Sequence, residues 1–168
     1  ELATSLKVEF GKTAAGSVHL DDDDVTLEIR TDRGSELASI VGAIPAAREG
    51  LFQRQLAFRR APGLIADGRD MGTVVFPDAA LKIFLTASVE ERAERRHKQL
   101  IAKGIGGTLP TLLRELKERD RRDQERAVSP LRPAGDAIII DSTEASLDAV
   151  LDQVRKLVTV RVPEALHG

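Results

Sequence analysis

The chain has 168 residues, 31% of them charged, with 25 Lys and Arg against 27 Asp and Glu and a formal net charge of −2. This length suits one domain with a small insertion, and it is enough to bury a core without covalent staples. The balance of charge excludes the broad basic surface of a duplex-binding protein, and the absence of cysteine excludes disulfides and thiolate metal sites.

The first thirty residues predict short β-strands joined by turns. The segments LKVEF, SVHL and VTLEI are rich in β-branched or alternating apolar residues, with the turn GKTAAG and the corner DDDD between them. Gly11–Thr13 is similar to the end of a phosphate-binding loop, but G-x-x-x-x-G-K-[ST] requires a glycine where the chain has Leu6. We therefore predict a hairpin turn at this position.

Helices and a buried strand follow in the middle of the chain. SELASIVGAI predicts a helix up to Pro45, and PAAREGLFQRQLAFRR predicts a second helix that begins with this proline. After the stretch GLIADGRDMGTVVFPDA, the apolar run LKIFLTAS predicts a buried strand. Ser88 followed by Glu91 is a capping box, which predicts a helix that ends at Gly104.

The last third of the chain alternates helix and strand. GIGGTLP is a flexible break, TLLRELKERDRRDQER predicts a long helix, DAIIIDST a buried strand and EASLDAVLDQVRKLV an amphipathic helix. From residue 63 onward the order is β, loop, β, α, α, β, α. This order predicts a parallel sheet wrapped by helices.

The helix TLLRELKERDRRDQER carries charges on its apolar stripe. At about 100° per residue, Arg119, Asp123 and Arg126 fall within about 40° of Leu112. Buried charges need partners because desolvating a lone charge is costly, and converging guanidinium groups suit a phosphate. A solvated helix laced with salt bridges explains the same charges equally well, so both interpretations stay open.

A second candidate is ADGRDMGT, which follows the strand predicted from residue 63. Open α/β sheets bind ligands at the carboxyl ends of their strands, and Gly68 and Gly72 would let the backbone approach a ligand closely. Arg69 offers a bidentate donor, and Asp70 offers an acceptor for the amino group of a base. A turn in which Asp and Arg pair with one another is the alternative.

The remaining sequence features limit the partners. His19, His97 and His167 are scattered, which excludes a histidine-based triad or metal site. No apolar run approaches the length of a membrane span and no signal peptide is visible, so we expect a cytoplasmic protein without a membrane or nucleic-acid partner. Because the chain starts at Glu1 and its only methionine is Met71, we expect Glu1 to be a processing or expression boundary.

Several long blocks, in the expected order, resemble the bacterial cytidylate kinases, which are nucleoside monophosphate kinases. They are GLIADGRDMGTVVFPDAALKIFLTASVEERAERR, LRELKERDRRDQERAVSPL and AIIIDST, while VTLEIRT and SELASIVGAIPAAREGL resemble the family's monophosphate-binding insertion. The resemblance implies an α/β fold of the P-loop kinase type, a three-layer parallel sheet with helices on both faces. It implies a β-containing insertion domain over residues 1–48, a core kinase domain over residues 49–168, and a short lid at about residues 92–110.

The resemblance also implies the reaction, which is ATP-dependent phosphorylation of CMP or dCMP to the diphosphate, with Mg²⁺. Transfer of this kind depends mainly on positioning and charge neutralisation. No residue of this chain is matched to a metal ligand. The matched positions are Ser39, Arg48 and Asp70 for the cytosine, Arg69, Arg119 and Arg126 for phosphate binding and catalysis, Asp123 for the ribose, and Arg92, Arg95 and Arg96 in the lid.

The family's P-loop strand, loop and helix have no counterpart among the 168 residues. The resemblance implies that this strand is central, so its absence would leave backbone groups unpaired and an apolar groove exposed. We expect the chain alone to be catalytically inactive, and its sheet to be completed by an N-terminal segment or by oligomerisation. The alternative function is a non-catalytic CMP-binding sensor or assembly module.

Overall fold

The computed structural model describes residues 5–42, 44–102, 104, 106–125 and 130–166. The chain divides into two units, Glu1–Arg60 and Ala61–Gly168. None of the described helices has the length and apolar character that crossing a bilayer requires.

A small antiparallel sheet opens the first unit. Its strands, in the order β1-β2-β3, are β1 (Val8–Phe10), β2 (Val18–Leu20) and β3 (Asp23–Asp24). The predicted hairpin turn is confirmed, because Gly11 and Gly16 have φ angles of 72° and 79° and the Gly11 N–H donates to the Ser17 carbonyl at 2.9 Å. Left-handed backbone of this kind favours glycine, and the GKT tripeptide lies in this turn.

The strand predicted at VTLEI is wrong. Residues Glu28–Arg30 form a 3₁₀ turn instead, and the chain leaves the sheet at Thr26. The Thr26 N–H donates to Asp24 Oδ1 at 2.9 Å, and the Val18 N–H donates to Thr26 Oγ1 at 2.8 Å. Side-chain oxygens thus replace the ladder hydrogen bonds that a longer strand would need.

Two helices complete the first unit, α1 (Asp32–Gly42) and α2 (Pro45–Ala57). Both were predicted, and Pro45 stands in the first turn of α2 after an extended Ile44, as its fixed φ angle favours.

The second unit contains a parallel pair of strands and three helices. The strands β4 (Ile83–Thr86) and β5 (Ile138–Asp141) pair from Ile83 opposite Ile138 to Thr86 opposite Asp141. The helices are α3 (Val89–Ala102), α4 (Leu109–Gln124) and α5 (Leu147–Arg161). The predicted start and end of α3 are confirmed, since the Glu91 N–H donates to Ser88 Oγ at 3.2 Å and Gly104 has a φ angle of 68°.

The strand predicted at the start of GLIADGRD is wrong. Residues 63–67 lie outside any strand, and the side chain of Ile65 is fully exposed, at 100%. An apolar run becomes a strand only where a neighbouring strand accepts its backbone hydrogen bonds, and in the described part of this unit only β4 and β5 pair.

The buried apolar core lies in the second unit, at Val75, Phe76, Ala87, Ala93, Leu100 and Ile140. Strands of parallel sheets are normally covered on both faces. Here Leu85 of β4 and Ile139 of β5 remain 58% and 59% exposed. The described part of the unit is thus a mixed α/β arrangement whose small parallel sheet keeps apolar side chains in solvent.

Candidate functional site

The DGRD segment leads into a wide helical turn anchored in the core. Residues Met71–Val75 form a π-type turn, in which the Val75 N–H donates to the Asp70 carbonyl at 3.2 Å and the Phe76 N–H to the Met71 carbonyl at 2.7 Å. Val75 and Phe76 are buried, while Asp70, at the start of the turn, is half-buried. Turns of this type are rare and concentrate at functional sites.

Two glycines of this segment are closely packed against side chains of the protein itself. A Cβ at Gly68 would lie 2.9 Å from Met71 Cγ, and one at Gly72 would lie 3.3 Å from Lys82 Cδ. From the sequence, we expected these glycines to let the backbone approach a ligand closely. The distances supply a second and independent reason for them.

Lys82 connects this loop to the residues before β5 through hydrogen bonds. No pattern in the sequence indicated this role. Its ammonium donates to the Pro77 carbonyl at 2.5 Å and to the two Asp136 carboxylate oxygens at 2.8 and 2.7 Å. The Lys82 side chain is 9% exposed, and Asp136 lies two residues before β5. The hydrogen bond from Lys82 holds the pKa of Asp136 below its ordinary value.

Asp123 is the buried charge at the centre of the candidate site. It is 2% exposed, and its carboxylate forms an ion pair with the Arg69 guanidinium. Arg119, one turn earlier on α4, lies with Nε 4.0 Å from Asp123 Oδ2 and keeps 47% of its side chain exposed. The structure thus brings the inward stripe of α4 and the DGRD loop together at this carboxylate.

The charges of this cluster suit an anionic ligand. One carboxylate lies against two guanidinium groups, so the cluster keeps a net positive charge. The buried carboxylate attracts both cations, and a guanidinium has five N–H donors with which to serve more than one acceptor. Arginines oriented in this way bind phosphate oxygens in a bidentate manner.

Other predicted site residues lie in the first unit or outside the described residues. Ser39 lies on α1, and Arg48 lies on α2, where its Nη1 donates to the Gly42 carbonyl at 3.2 Å. Arg126 lies outside the described residues.

The three arginines predicted for the lid all lie on α3. Arg92 donates from Nη1 and Nη2 to the two oxygens of Asp120 at 3.0 and 2.6 Å, and from Nε to the Ala87 carbonyl at 3.1 Å. Arg95 donates to Glu91 Oε1 at 2.7 Å and to the carbonyl and hydroxyl oxygens of Ser142 at 2.5 and 3.2 Å. Arg96 is half-buried on the same helix.

A polar cluster lies where β4 and β5 end, and sequence reasoning had assigned it no role. The Ser88 N–H donates to Thr143 Oγ1 at 2.9 Å, and Ser142 Oγ donates to the Thr86 carbonyl at 3.0 Å. Hydrogen bonds from the Thr143 hydroxyl and N–H hold the pKa of Asp141 below its ordinary value. The triplet DST after an apolar run was the available signal, because carboxyl ends of parallel strands collect polar side chains.

The described residues do not form a cradle for a metal–triphosphate. Among them, no group of three or more His, Asp or Glu side chains is placed to hold a metal ion. G-x-x-x-x-G-K-[ST] does not occur in the sequence either.

Comparison with known proteins gives one consistent result. The family model described as cytidylate kinase matches residues 1–160. A cytidylate kinase of Pseudomonas entomophila is 55% identical over 163 residues, which are 95% of this chain and 72% of that protein. A cytidylate kinase of Pseudomonas paraeruginosa is 57% identical over 158 residues, 91% of this chain and 68% of that protein.

Proposed function

Because this chain belongs to the cytidylate kinase family, a family of nucleoside monophosphate kinases, we propose that it carries the acceptor site for CMP and dCMP. The observation that carries this proposal is the buried Asp123 carboxylate against the guanidinium groups of Arg69 and Arg119. In the whole protein, the acceptor phosphate would receive a phosphoryl group from ATP, giving CDP or dCDP.

We assign the binding of the acceptor phosphate to Arg69, Arg119 and Arg126. Phosphoryl transfer places little covalent work on the protein, so the main tasks are to align the reactants and to offset the developing charge. Arg69 supports this role because its ion pair with the buried Asp123 holds its guanidinium in place before the nucleotide arrives, and Arg119 supports it because its guanidinium lies 4.0 Å from the same carboxylate. Asp123 would in addition accept hydrogen bonds from the ribose hydroxyls.

The cytosine is assigned to Asp70, Ser39 and Arg48. Asp70 lies one residue from Arg69, so one loop would bind both ends of the monophosphate. A carboxylate accepts from the exocyclic amino group of cytosine, whereas uracil has a carbonyl oxygen at the same place, which would repel it. A lid arginine, Arg92, Arg95 or Arg96, is assigned to the transferring phosphates. Arg95 or Arg96 would fill this role while Arg92 keeps its pair with Asp120.

The donor side of the reaction needs residues beyond these 168. ATP and Mg²⁺ require a backbone nest with its lysine and hydroxyl, and neither the sequence nor the described side chains fit that requirement. The exposed Ile65, Leu85 and Ile139 support a missing layer. We propose that a strand–P-loop–helix segment covers these residues and completes a three-layer sheet, and that the 168-residue chain alone does not turn over.

Binding and turnover test the proposal separately. The 168-residue chain is titrated calorimetrically with CMP and with ATP, together with Arg69→Ala and, as a matched control, Arg121→Ala, which removes an exposed arginine paired with Glu118 on the same helix. We expect wild type and Arg121→Ala to bind CMP, and Arg69→Ala to lose binding. The acceptor-site proposal is wrong if wild type does not bind CMP or if Arg69→Ala binds it equally well.

A non-catalytic CMP sensor is the second candidate, and turnover distinguishes it from the kinase. The chain is therefore joined to the part of the Pseudomonas entomophila relative that lies outside the match. Turnover of CMP and ATP by this fusion, lost when Mg²⁺ is chelated, supports the kinase, whereas CMP binding without turnover supports the sensor. Light scattering of the 168-residue chain, whose mass is 18.2 kDa, shows whether a second copy covers the apolar face instead.

A further inference from the structure

Asp120 links the end of β4 to the helix that carries Asp123. Its two oxygens receive both terminal nitrogens of Arg92, and the Nε of the same guanidinium donates to the Ala87 carbonyl. Ala87 is the residue that follows β4, and it is buried. One planar guanidinium therefore connects the strand end, α3 and α4 through three hydrogen bonds.

This pair is more ordered than a typical surface ion pair. The side chains of Arg92 and Asp120 are 34% and 25% exposed, so solvent screens them only in part. A bidentate arginine–carboxylate pair has a fixed plane and fixed distances. Glu118 on α4 and Glu125, just after it, differ from Asp120, since both pair with the exposed Arg121.

The position of Asp120 on α4 determines what the pair controls. Asp120 precedes Asp123 by three residues, which is a rise of about 4.5 Å and slightly less than one turn. A rotation or slide of α4 that broke the contact with Arg92 would therefore also move Asp123. The Asp123 carboxylate is buried against Arg69, and this ion pair tolerates little displacement because the carboxylate has left water and depends on its partner.

We propose that Asp120, held by Arg92, is a positioning residue that sets the rotation of α4, so that Asp123 meets Arg69 in the acceptor site. The expected effect of this positioning on CMP affinity rests on the proposed function. The contacts on which the positioning depends, Asp120 with Arg92 and Asp123 with Arg69, are present in the chain without any ligand. Asp120 itself acts through Arg92 and Asp123, and it is not assigned to the nucleotide.

The test compares Asp120→Asn with Asp120→Glu in the 168-residue chain. Asparagine keeps the size of the side chain but loses the second acceptor oxygen and the charge, whereas glutamate keeps the bidentate carboxylate. Two control variants accompany them. Glu118→Gln removes an exposed carboxylate of the same helix, and Ser146→Ala removes the N-cap hydrogen bond of α5 to the Ala149 N–H, which lowers stability away from the site.

The first readout needs no ligand. The Nε–H resonance of Arg69 in ¹⁵N-labelled protein reports its ion pair with Asp123. We expect this resonance to shift in Asp120→Asn, and to keep its wild-type position in Asp120→Glu, Glu118→Gln and Ser146→Ala. An Arg69 resonance that stays unmoved in Asp120→Asn overturns the proposal.

The second readout is CMP affinity, measured well below the unfolding transition of each variant. Misplacement of a binding group by about 1 Å costs up to about a hundredfold, so we expect Asp120→Asn to bind CMP about tenfold more weakly. Asp120→Glu should lie within about twofold of wild type. An equal loss in Ser146→Ala would show a general stability effect and overturn the positioning role. If wild type binds no CMP while the Arg69 resonance still shifts in Asp120→Asn, the proposed function fails and the positioning role stands.

Discussion

The Asp123 carboxylate on α4 forms an ion pair with the guanidinium of Arg69 in the DGRD loop, and the two partners differ sharply in exposure. Asp123 is 2% exposed and Arg69 is 35% exposed. Removal of the arginine would leave a buried carboxylate with the Arg119 guanidinium 4.0 Å away. Removal of the carboxylate would leave a cation that water can reach.

This difference in exposure predicts which of two substitutions, Arg69→Ala or Asp123→Asn, destabilises the protein more. Arg69→Ala should lower the free energy of unfolding by about 2–4 kcal/mol, because a buried charge loses its partner. Asp123→Asn should cost only about 1–2 kcal/mol, since it removes the buried charge itself and keeps the shape. Urea denaturation at neutral pH measures both, and equal losses, or a larger loss in Asp123→Asn, would contradict the burial argument.

Asp70 should decide which base the acceptor site prefers. Asp70→Ala removes an acceptor matched to the amino group of cytosine, and loss of such a contact reduces discrimination strongly. We expect the ratio of CMP to UMP affinity in the 168-residue chain to fall by at least about tenfold. Calorimetric titration with both nucleotides measures this ratio.

Arg119→Ala is the matched control for this experiment. It removes a phosphate partner common to both nucleotides, so the two affinities should fall together, by about tenfold each, and their ratio should stay at the wild-type value. If the ratio of CMP to UMP affinity also stays at the wild-type value in Asp70→Ala, Asp70 does not recognise the base.

The features that the sequence predicted are those that depend on residues near one another in the chain. Pro45 begins α2, Ser88 caps α3 and Gly104 ends it, because capping and backbone restriction act over one turn. For Asp123, helical spacing left an inward and a solvated direction open, and the burial of this side chain decides for the inward one.

The features that it did not predict depend on partners distant in sequence. The apolar run at residues 63–66 has the composition of a strand, yet a strand needs a hydrogen-bonded neighbour. The pairs Lys82–Asp136 and Arg92–Asp120 join residues that are 54 and 28 positions apart in the chain, so no local pattern indicates them. Only the packing of the elements shows which of these charges meet.

The ion pair between Lys82 and Asp136 predicts how the stability of the second unit depends on pH. The Lys82 ammonium holds the pKa of Asp136 below its ordinary value of 3.8, so the folded protein binds this proton less readily than the unfolded chain. The stabilisation is therefore complete above the ordinary value and is lost as the pH falls through the lowered pKa of the folded state.

Asp136→Asn should therefore be less stable than wild type at neutral pH, and the difference in Tm should shrink progressively below about pH 4. Thermal unfolding followed by circular dichroism across this range is the measurement. Asp152→Asn, which breaks an exposed pair with Arg155 on α5, should change Tm little at any pH. A Tm difference in Asp136→Asn that stays constant down to about pH 2 would show that the ion pair is not its source.

Ile65 tests whether a further segment covers the exposed apolar residues of the second unit. Its side chain is 100% exposed, so Ile65→Ser should change the stability of the 168-residue chain by no more than about 0.5 kcal/mol. In the fusion that carries the remaining part of the Pseudomonas entomophila relative, the same substitution should cost at least about 2 kcal/mol, because a covered isoleucine contributes buried apolar area.

Val160→Ser is the matched control, since Val160 near the end of α5 is 75% exposed and should tolerate the change in both proteins. Urea denaturation of the four variants and their two parents gives the comparison. If Ile65→Ser costs equally little in both, the additional segment does not pack on this part of the chain, and the exposed residues Leu85 and Ile139 require another cover. A large cost in the 168-residue chain itself would instead show that Ile65 is already buried in solution, as association with a second copy would cause.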